Sequence, residues 1–346
     1  MSIKKTIPVF VPHSGCPNDC IFCNQKRITG VTSTVGPEEA ESVIREALST
    51  IDENMDIEIA FFGGSFTAIE KERQIELLSV ANRYRETHSI KDIRISTRPD
   101  AIDEDVLSLL KAFNVTIIEL GVQSLDENVL MQSNRGHDSA CVYRSSELIL
   151  KNGFKLGLQM MLGLPGDSAE KVRYTADEFI RIAPHFVRIY PVLVIKDTGL
   201  ESLFKSKVYQ PWSVEKTVEV CKDIFMKFAK NNIKVIRMGL QTTDDIMLGK
   251  DVVAGPFHPA IGELIYSRVY RDLIEKMLTE TGIDELKGKT VDIEAPGNQI
   301  SKISGNRKSN KEYFKEKYDI RLRIVASQGD KVLRIGNMKE DISFLA

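Results

Sequence analysis

The chain has 346 residues, of which 28% are charged and 42% are hydrophobic, and its formal net charge at pH 7 is −2. This composition is typical of an ordinary globular protein, and the near-neutral charge excludes a general attraction to nucleic acid or to a membrane surface. The sequence contains no apolar run of about 18 residues, which a membrane span requires, and its N-terminus lacks the apolar core of a signal peptide. With 5 cysteines and no disulfide framework, it predicts a cytoplasmic protein in a reducing environment, without a membrane partner.

Apolar segments and helical periodicity alternate along most of the chain. Segments rich in β-branched and aromatic residues predict strands, at residues 6–11, 56–62, 93–97, 115–122, 155–162, 186–191 and 233–237. Amphipathic patterns predict helices, beginning at Gly36-Pro37 and continuing over about residues 69–84, 103–113, 127–131, 140–151, 172–182 and 214–231. Crossovers of this length join parallel neighbouring strands, so the sequence predicts an α/β fold.

The same alternation suits either an open Rossmann-like sheet or a barrel, but no G-x-G-x-x-G follows the first predicted strand. Glycine-rich and polar segments instead fall at the carboxyl ends of the predicted strands, where barrel enzymes build their sites. We therefore predict a partial (β/α)6 TIM-type barrel over residues 1–240. Residues 241–346 are predicted to form a small α+β appendage, with a helix at 261–278 and strands at 290–293, 320–326 and 331–335.

Three of the 5 cysteines, Cys16, Cys20 and Cys23, lie in one short loop after the first predicted strand. Closely spaced thiolates in an odd number form a poor disulfide framework but suit an iron–sulfur cluster with one iron left open. The alternative is a zinc site that recruits a fourth ligand, such as His13 or a distant cysteine. The three cysteines are therefore the predicted metal ligands. His13 beside them is a candidate catalytic residue, or only a hydrogen-bonding residue of the loop.

The loop has the spacing C-x3-C-x2-C, with the aromatic Phe22 directly before Cys23. In this pattern the chain resembles the radical S-adenosylmethionine (SAM) superfamily, over about residues 6–240. The resemblance implies a [4Fe–4S] cluster whose open iron binds the amino and carboxylate groups of SAM. It further implies reductive cleavage of SAM to methionine and a 5′-deoxyadenosyl radical, which abstracts a hydrogen atom from the substrate. An electron donor such as a ferredoxin or flavodoxin is implied by the same chemistry.

The resemblance also assigns cofactor contacts at the ends of later predicted strands. Gly63 and Gly64 match a glycine pair that lets the backbone approach the methionine amino group, although taken alone they fit an ordinary strand-end turn. Gln123 matches a contact with the ribose hydroxyls. Arg135 matches an arginine that faces the methionine carboxylate, and in isolation it fits a solvated surface arginine equally well. The remaining predicted cofactor contacts are Phe22, Ser65, Thr97, Arg98, Leu162 and Leu164. For Thr97 and Arg98 the alternative is that they face the substrate.

Within the superfamily the chain resembles two branches. Residues 119–124 and 161–166 are similar to the oxygen-independent coproporphyrinogen oxidases, but Gln159 stands where that pattern has an acid, which argues against that activity. Residues 96–100 and 190–191 resemble the catalytic subunit of Elongator. We expect no acetyltransferase domain of the kind which that subunit carries, because residues 241–346 are too few to hold one.

The substrate is the least determined part of the prediction. Arg307, Lys308 and Lys311 lie in a basic stretch beside Tyr313 and Phe314. Such a stretch suits RNA phosphates and stacked bases, and it suits a solvated helix at least as well. On this basis we predict an RNA substrate, in particular a tRNA base, bound through the three basic residues.

Other interpretations stay open at this stage. His258, in a proline-flanked turn, is a second candidate catalytic residue, or part of a rigid structural turn. The chain is alternatively a radical SAM enzyme that acts on a small metabolite or a tetrapyrrole. A third hypothesis is a non-catalytic module that binds zinc or an iron–sulfur cluster.

Overall fold

A computed structural model provides the structure of the chain. It describes residues 4–11, 16, 20–24, 35–52, 55–88, 90–240, 246–327 and 331–345. His13 lies outside the described residues. No helix in the described part of the chain is both long and apolar enough to cross a membrane.

A parallel sheet of seven strands forms the larger part of the fold, and its strands follow one another in chain order. They are β1 (Lys4–Val11), β2 (Asp56–Gly63), β3 (Ile90–Thr97), β4 (Ile117–Gln123), β5 (Lys155–Leu162), β6 (Phe186–Pro191) and, after a short strand β7 (Val194–Ile195), β8 (Lys234–Met238). The sheet curls into a half-barrel whose strands are mostly buried, because helical crossovers cover its outer face. The predicted α/β class and partial barrel are confirmed.

Helices connect the strands of this sheet. The first seven are α1 (Pro37–Leu48), α2 (Lys71–Thr87), α3 (Glu104–Ala112), α4 (Glu127–Gln132), α5 (Ser139–Lys151), α6 (Ala169–Ile182) and α7 (Gly199–Lys205). Several begin where the sequence provides a side chain that accepts a hydrogen bond from a free backbone N–H of the first turn. These N-cap residues are Asp103, Asp126, Asp138, Ser168 and Thr198.

The chain divides into two compact units that interleave in sequence. The first comprises residues 1–213 and 231–257, and it contains the parallel sheet and a small ribbon in which β7 pairs with β9 (Val252–Ala254). The second comprises residues 214–230 and 258–346. The domain boundary between residues 240 and 241 stays a prediction.

The second unit combines helices with a four-stranded sheet. Its helices are α8 (Val214–Lys230), α9 (Ile261–Glu280), α10 (Ile300–Ser304) and α11 (Ser309–Tyr318), and its strands are β10 (Thr290–Pro296), β11 (Arg321–Ser327), β12 (Val332–Ile335) and β13 (Met338–Asp341). The aromatic rings of Phe225 on α8 and Tyr266 on α9 meet edge to face, with their centroids 5.4 Å apart. The predicted C-terminal α+β region is therefore present in this unit.

Candidate active site

A cavity of about 140 Å³ opens at the carboxyl ends of the first strands of the half-barrel. It is lined by Cys16, Cys20, Phe22, Cys23, Gly63, Gly64, Ser96, Thr97, Arg98, Gly121, Gln123, Arg135 and Gln159. The three predicted metal ligands and most of the predicted cofactor contacts therefore share one cavity. Parallel strands bring their carboxyl ends to the same edge of a sheet, which is why segments so distant in sequence meet here.

The cysteine loop is anchored to the rest of the first unit through Ile21, between two of the cysteines. The Ile21 N–H donates to the Ser133 carbonyl at 3.2 Å, and the Ile21 carbonyl accepts from the Leu200 N–H at 2.7 Å. Within the loop, the Cys23 N–H donates to the Cys20 carbonyl at 2.9 Å. Phe22 packs against a hydrophobic cluster that contains Leu164. Backbone bonds and apolar packing thus hold this part of the loop in place.

The donor set distinguishes between the two kinds of metal site that the sequence leaves open. Among the described residues, no three His, Cys, Asp or Glu side chains are gathered closely enough to hold one metal ion. Zinc requires its ligands to converge on a single point, at about 2.3 Å for a thiolate sulfur. A cubane cluster offers a separate iron to each thiolate, so its cysteine ligands need not converge. The three cysteines line one cavity, and thiolates at separate positions suit the separate irons of a cubane.

Two buried arginines line the cavity beside the cysteines. Arg135 donates from Nη1 to the Cys20 sulfur at 3.1 Å and from Nη2 to the Gly121 carbonyl. Arg98 forms a bidentate pair with Asp100, with distances of 2.9 and 3.0 Å, and its Nη2 also donates to the Arg135 carbonyl at 2.6 Å. Arg135 therefore presents a cation to the Cys20 sulfur, whereas the charge of Arg98 is balanced by Asp100.

The electrostatics of the cysteines follow from burial and from these arginines. Burial raises the pKa of the Cys16 thiol, and the neighbouring Cys20 sulfur raises it further, whereas Arg98 and Arg135 oppose the shift. A metal that binds here must displace the proton of the thiol, so metal binding releases protons and weakens as the pH falls.

A chain of hydroxyl groups supports the cavity wall at the ends of β2 and β3. The Thr97 hydroxyl lies 2.8 Å from that of Ser65 and 2.6 Å from that of Thr67. The Arg98 N–H donates to the Ser65 hydroxyl at 3.2 Å. Ser65 is buried and is not among the residues that line the cavity. It lies behind Thr97 and Arg98 and stabilises them by hydrogen bonds.

Gly63 at the end of β2 occupies a position that only glycine fits. Its φ is +114°, and a Cβ added there would lie 2.5 Å from the Val11 carbonyl oxygen. The next residue, Gly64, donates its N–H to the same carbonyl at 3.0 Å. The glycine pair therefore holds the end of β2 against the end of β1, directly before the cysteine loop.

Several polar atoms of the cavity residues are buried and have no hydrogen-bond partner within the described part of the chain. They are the Ser96 hydroxyl, the Gln123 Oε1 and the Arg135 Nε. Gln123 also has a positive φ of 74°, which is uncommon for a residue with a side chain. A buried acceptor or donor without a partner costs free energy, so these atoms indicate a polar ligand with both donors and acceptors. The chemistry and position of these groups fit SAM beside a cluster.

Beneath the cavity lies a layer of buried charges that the sequence reasoning missed. Arg94 on β3 pairs with Glu58 on β2 and with Glu119 on β4, the latter at 3.1 Å. The Arg188 Nε on β6 lies 3.2 Å from the other oxygen of Glu119. Both arginines also lie over the Phe62 ring, at 5.5 and 5.0 Å from its centroid. Glu119 and Arg188 are the single charges of β4 and β6, whereas Glu58 and Arg94 share their strands with other charged residues. Alternating charge sign across adjacent strands was the available signal.

The remaining predicted site residues lie elsewhere. Leu162 and Leu164 are fully buried and are not among the described residues lining the cavity. His258 belongs to the second unit, where its Nδ1 accepts from the Ala260 N–H at 3.1 Å and its Nε2 lies 3.3 Å from the Asn306 amide nitrogen. These bonds are those of a residue that stabilises a turn.

Comparison with known proteins identifies the family. Residues 10–179 match the model of the radical SAM superfamily, and residues 184–271 match the Radical_SAM C-terminal domain. The chain is 29% identical, over 236 residues, to a tRNA uridine(34) acetyltransferase of Methanocaldococcus infernus, covering 61% of this chain and 42% of that protein. It is 32% identical, over 196 residues, to the human Elongator complex protein 3, covering 51% of this chain and 36% of that protein. The chain thus spans less than half the length of these relatives.

Solved structures show the same fold. The archaeal Elp3 of Methanocaldococcus infernus superimposes with a TM-score of 0.60 at 23% identity, over 82% of this chain and 64% of that chain. The coproporphyrinogen III oxidase HemN of Escherichia coli, described as a radical SAM enzyme, superimposes with a TM-score of 0.50 at 17% identity, over 66% of this chain and 53% of that chain.

Proposed function

The chain belongs to the radical SAM superfamily and is an enzyme that uses a [4Fe–4S] cluster and SAM, and from this premise we propose that it modifies RNA. Specifically, it cleaves SAM reductively to a 5′-deoxyadenosyl radical and acts on a tRNA base. The observation that carries the substrate proposal is the similarity to relatives named tRNA uridine(34) acetyltransferase and Elongator complex protein 3.

Three cysteines are assigned to the cluster in this proposal. Cys16, Cys20 and Cys23 would each bind one iron, and the fourth iron is left for SAM. When bound, the cluster and SAM together supply one-electron chemistry that no side chain of the protein provides. The source of the electron is a reductant, for which we propose a ferredoxin or a flavodoxin.

The other cavity residues are assigned to binding and orientation of SAM. The Gln123 Oε1 and the Ser96 hydroxyl are free acceptors for the hydroxyl or ammonium groups of the ligand. Arg98 and Arg135 make the cavity attractive to a carboxylate. Phe22 covers the loop from the apolar side and excludes water from it.

The second unit provides a surface that suits the phosphates of RNA. Arg307 and Lys308 are exposed, Lys311 is half-buried, and none of the three forms a salt bridge within the described residues. By contrast, Lys315 pairs with Asp319, and Lys317 pairs with Glu275 at 2.7 Å. A cation without a protein partner is available to neutralise a phosphate.

Base stacking by the neighbouring aromatic residues is not supported. The Phe314 ring is fully buried, so it is not available to stack on a base. Tyr313 has the Arg271 guanidinium over its ring at 4.4 Å, and its hydroxyl donates to Glu275 at 3.0 Å. The proposed RNA contact therefore rests on phosphates and not on stacked bases.

Retention of tRNA tests the proposed contact. Arg307 and Lys308 have φ values of 51° and 66°, so alanine would strain the backbone there and asparagine is the better replacement. We expect the triple variant Arg307→Asn, Lys308→Asn, Lys311→Gln to bind tRNA more weakly. The slope of log K against log salt should fall by about 2 to 3, at roughly 0.9 per phosphate contact.

A matched control removes the same charge from lysines that are already paired. It is the triple variant Lys276→Gln, Lys315→Gln, Lys317→Gln, whose lysines bind Glu340, Asp319 and Glu275. Equal losses in the two triple variants would mean that net charge alone matters, and the proposed surface would be wrong.

Release of 5′-deoxyadenosine tests the proposed reaction and its substrate class together. The reconstituted enzyme is incubated anaerobically with SAM, a reductant and either tRNA, a panel of small metabolites or a tetrapyrrole. We expect release to rise with tRNA only. The alternative of a tetrapyrrole substrate has the fold likeness to HemN as its support, and stimulation by a porphyrinogen would favour it over RNA.

A further inference from the structure

Arg135 contacts a predicted cluster ligand directly. Its Nη1 lies 3.1 Å from the Cys20 sulfur, and its Nη2 donates to the Gly121 carbonyl. The residue is 6% exposed, and Cys20 is 9% exposed, so water does not compete for the contact. An N–H of a guanidinium directed at a buried sulfur is a charge-assisted hydrogen bond.

The backbone around Arg135 is fixed by the end of α4. Asn134 adopts the left-handed conformation with a φ of 52°, which ends the helix. The Arg135 N–H then donates to the Leu130 carbonyl at 3.1 Å, in the pattern of a helix C-terminal motif. This geometry directs the side chain of Arg135 from the helix end toward the cysteine loop.

A second arginine holds the same backbone from the other side. The Arg98 Nη2 donates to the Arg135 carbonyl at 2.6 Å. Arg98 is in turn held by the bidentate pair with Asp100, at 2.9 and 3.0 Å. Asp100, Arg98 and Arg135 thus form a continuous chain of hydrogen bonds that ends at the Cys20 sulfur.

We propose that Arg135 raises the reduction potential of the cluster by donating an N–H···S hydrogen bond to the Cys20 thiolate, and that Arg98 is a positioning residue for it. Reduction adds one electron to the cluster and increases the negative charge on its sulfur ligands. A cationic donor to a ligand sulfur therefore stabilises the reduced cluster more than the oxidised one. The inference rests on the cluster that Cys16, Cys20 and Cys23 hold, and not on RNA as the substrate.

This role is separable from the contact with the SAM carboxylate that the resemblance assigns to Arg135. The hydrogen bond to sulfur acts on the cluster whether or not SAM is bound. The measurement is therefore made on the reconstituted protein without SAM and without RNA. A failure of the RNA proposal leaves its result unchanged.

The experiment is a redox titration of the cluster, followed by its electron paramagnetic resonance signal, in the wild type and in Arg135→Gln. We expect the ratio of reduced to oxidised cluster at a fixed solution potential to fall about tenfold in the variant, which is 59 mV for a one-electron couple. Arg98→Gln should shift the ratio in the same direction by a smaller factor. Arg83→Gln, on the exposed side of α2, is the matched control and should leave the ratio unchanged.

Arg135→Lys keeps the positive charge but loses the planar guanidinium. This variant therefore distinguishes the effect of a directed hydrogen bond from the effect of a nearby charge. We expect Arg135→Lys to shift the ratio as well, because the bond to sulfur is lost. An unchanged ratio in Arg135→Gln, with iron content and near-ultraviolet circular dichroism equal to the wild type, would overturn the proposal.

A second measurement covers the case in which Arg135→Gln does not retain its cluster. The iron–cysteine stretching bands of the wild type should shift after exchange into D₂O, because an exchangeable N–H binds a ligand sulfur. In Arg135→Lys this isotope shift should be smaller. An isotope shift of the same size in both proteins would contradict the proposed bond.

Discussion

The side-chain amide of Gln159 donates a hydrogen bond to the Glu119 carboxylate at the floor of the cavity. Glu119 is fully buried and already faces Arg94 and Arg188 on either side. At position 159, where the coproporphyrinogen oxidase pattern has an acid, this chain therefore has a hydrogen-bond donor to Glu119. An acid there would lie against a second buried carboxylate, whereas an amide supplies a donor.

Gln159→Glu should therefore destabilise the protein at neutral pH. The new carboxylate would lose the hydrogen bond and meet a like charge, at a cost of about 1 to 3 kcal/mol in the free energy of unfolding. Urea denaturation at pH 7 measures this cost. Gln132→Glu, on the exposed surface of α4, is the control and should hardly change the free energy of unfolding. Equal costs at positions 159 and 132 would count against the hydrogen bond between Gln159 and Glu119.

Removal of Arg94 should be among the most damaging single changes in the half-barrel. Arg94→Met leaves Glu58 and Glu119 buried with one cationic partner fewer, and breaking a buried ion pair in this way costs about 3 to 5 kcal/mol. The free energy of unfolding from urea denaturation tests the expectation. Arg83→Met is the control, because Arg83 is exposed and lies 3.7 Å from Glu41. A loss below about 1 kcal/mol for Arg94→Met would show that the pairs contribute little.

Gly199 is expected to control how well the cysteine loop retains its cluster. A Cβ at this position would lie 3.3 Å from the Ile21 Cβ, and the next residue donates its N–H to the Ile21 carbonyl at 2.7 Å. Gly199→Val should push Ile21 and its flanking cysteines, and so lower the iron content per chain after reconstitution. Gly297→Val is the control, because no atom of the described residues lies within 4 Å of a Cβ there. Equal iron contents would show that the loop tolerates the displacement.

Asp167 should make stability depend on pH in an unusual direction. Burial raises the pKa of its carboxyl from 3.8 to about 6, although the N–H groups of Gly163 and Ser168 donate to it, each at 2.8 Å. A raised pKa in the folded state contributes stability that is present below the unfolded pKa and is lost as the pH rises through the folded pKa.

The stability that Asp167 contributes should therefore fall by about 2 kcal/mol between pH 4 and pH 7. Asp167→Asn has no charge to bury, so its stability relative to the wild type should increase over the same interval. Urea denaturation of both proteins at several pH values measures the difference between their free energies of unfolding. The other titrating groups contribute equally to both proteins, so their contributions cancel in this difference. A difference that does not vary with pH would mean that the carboxyl titrates normally.

The sequence by itself determined the architecture of the half-barrel and the place of the cysteine loop. Periodicity and N-caps are local properties, so alternating strands and helices can be recognised without knowledge of their neighbours. The order of the strands followed as well, because parallel strands joined by single helical crossovers tend to be adjacent. The cavity at the strand ends was predictable for the same reason, and most of the predicted cofactor contacts line it.

Only the tertiary structure decided which side chains contact one another within the half-barrel and in the second unit. Arg135 is 115 residues from Cys20 in sequence, and nothing in its local sequence indicates a bond to sulfur. Glu119 is the single charge of its strand, whereas Glu58 and Arg94 share their strands with other charged residues, and the pairing of all three depends on the register between strands. Phe314 lies in a basic stretch of the sequence, yet its ring is fully buried. Contacts of this kind depend on packing between distant segments, which the pattern of residues along one segment does not contain.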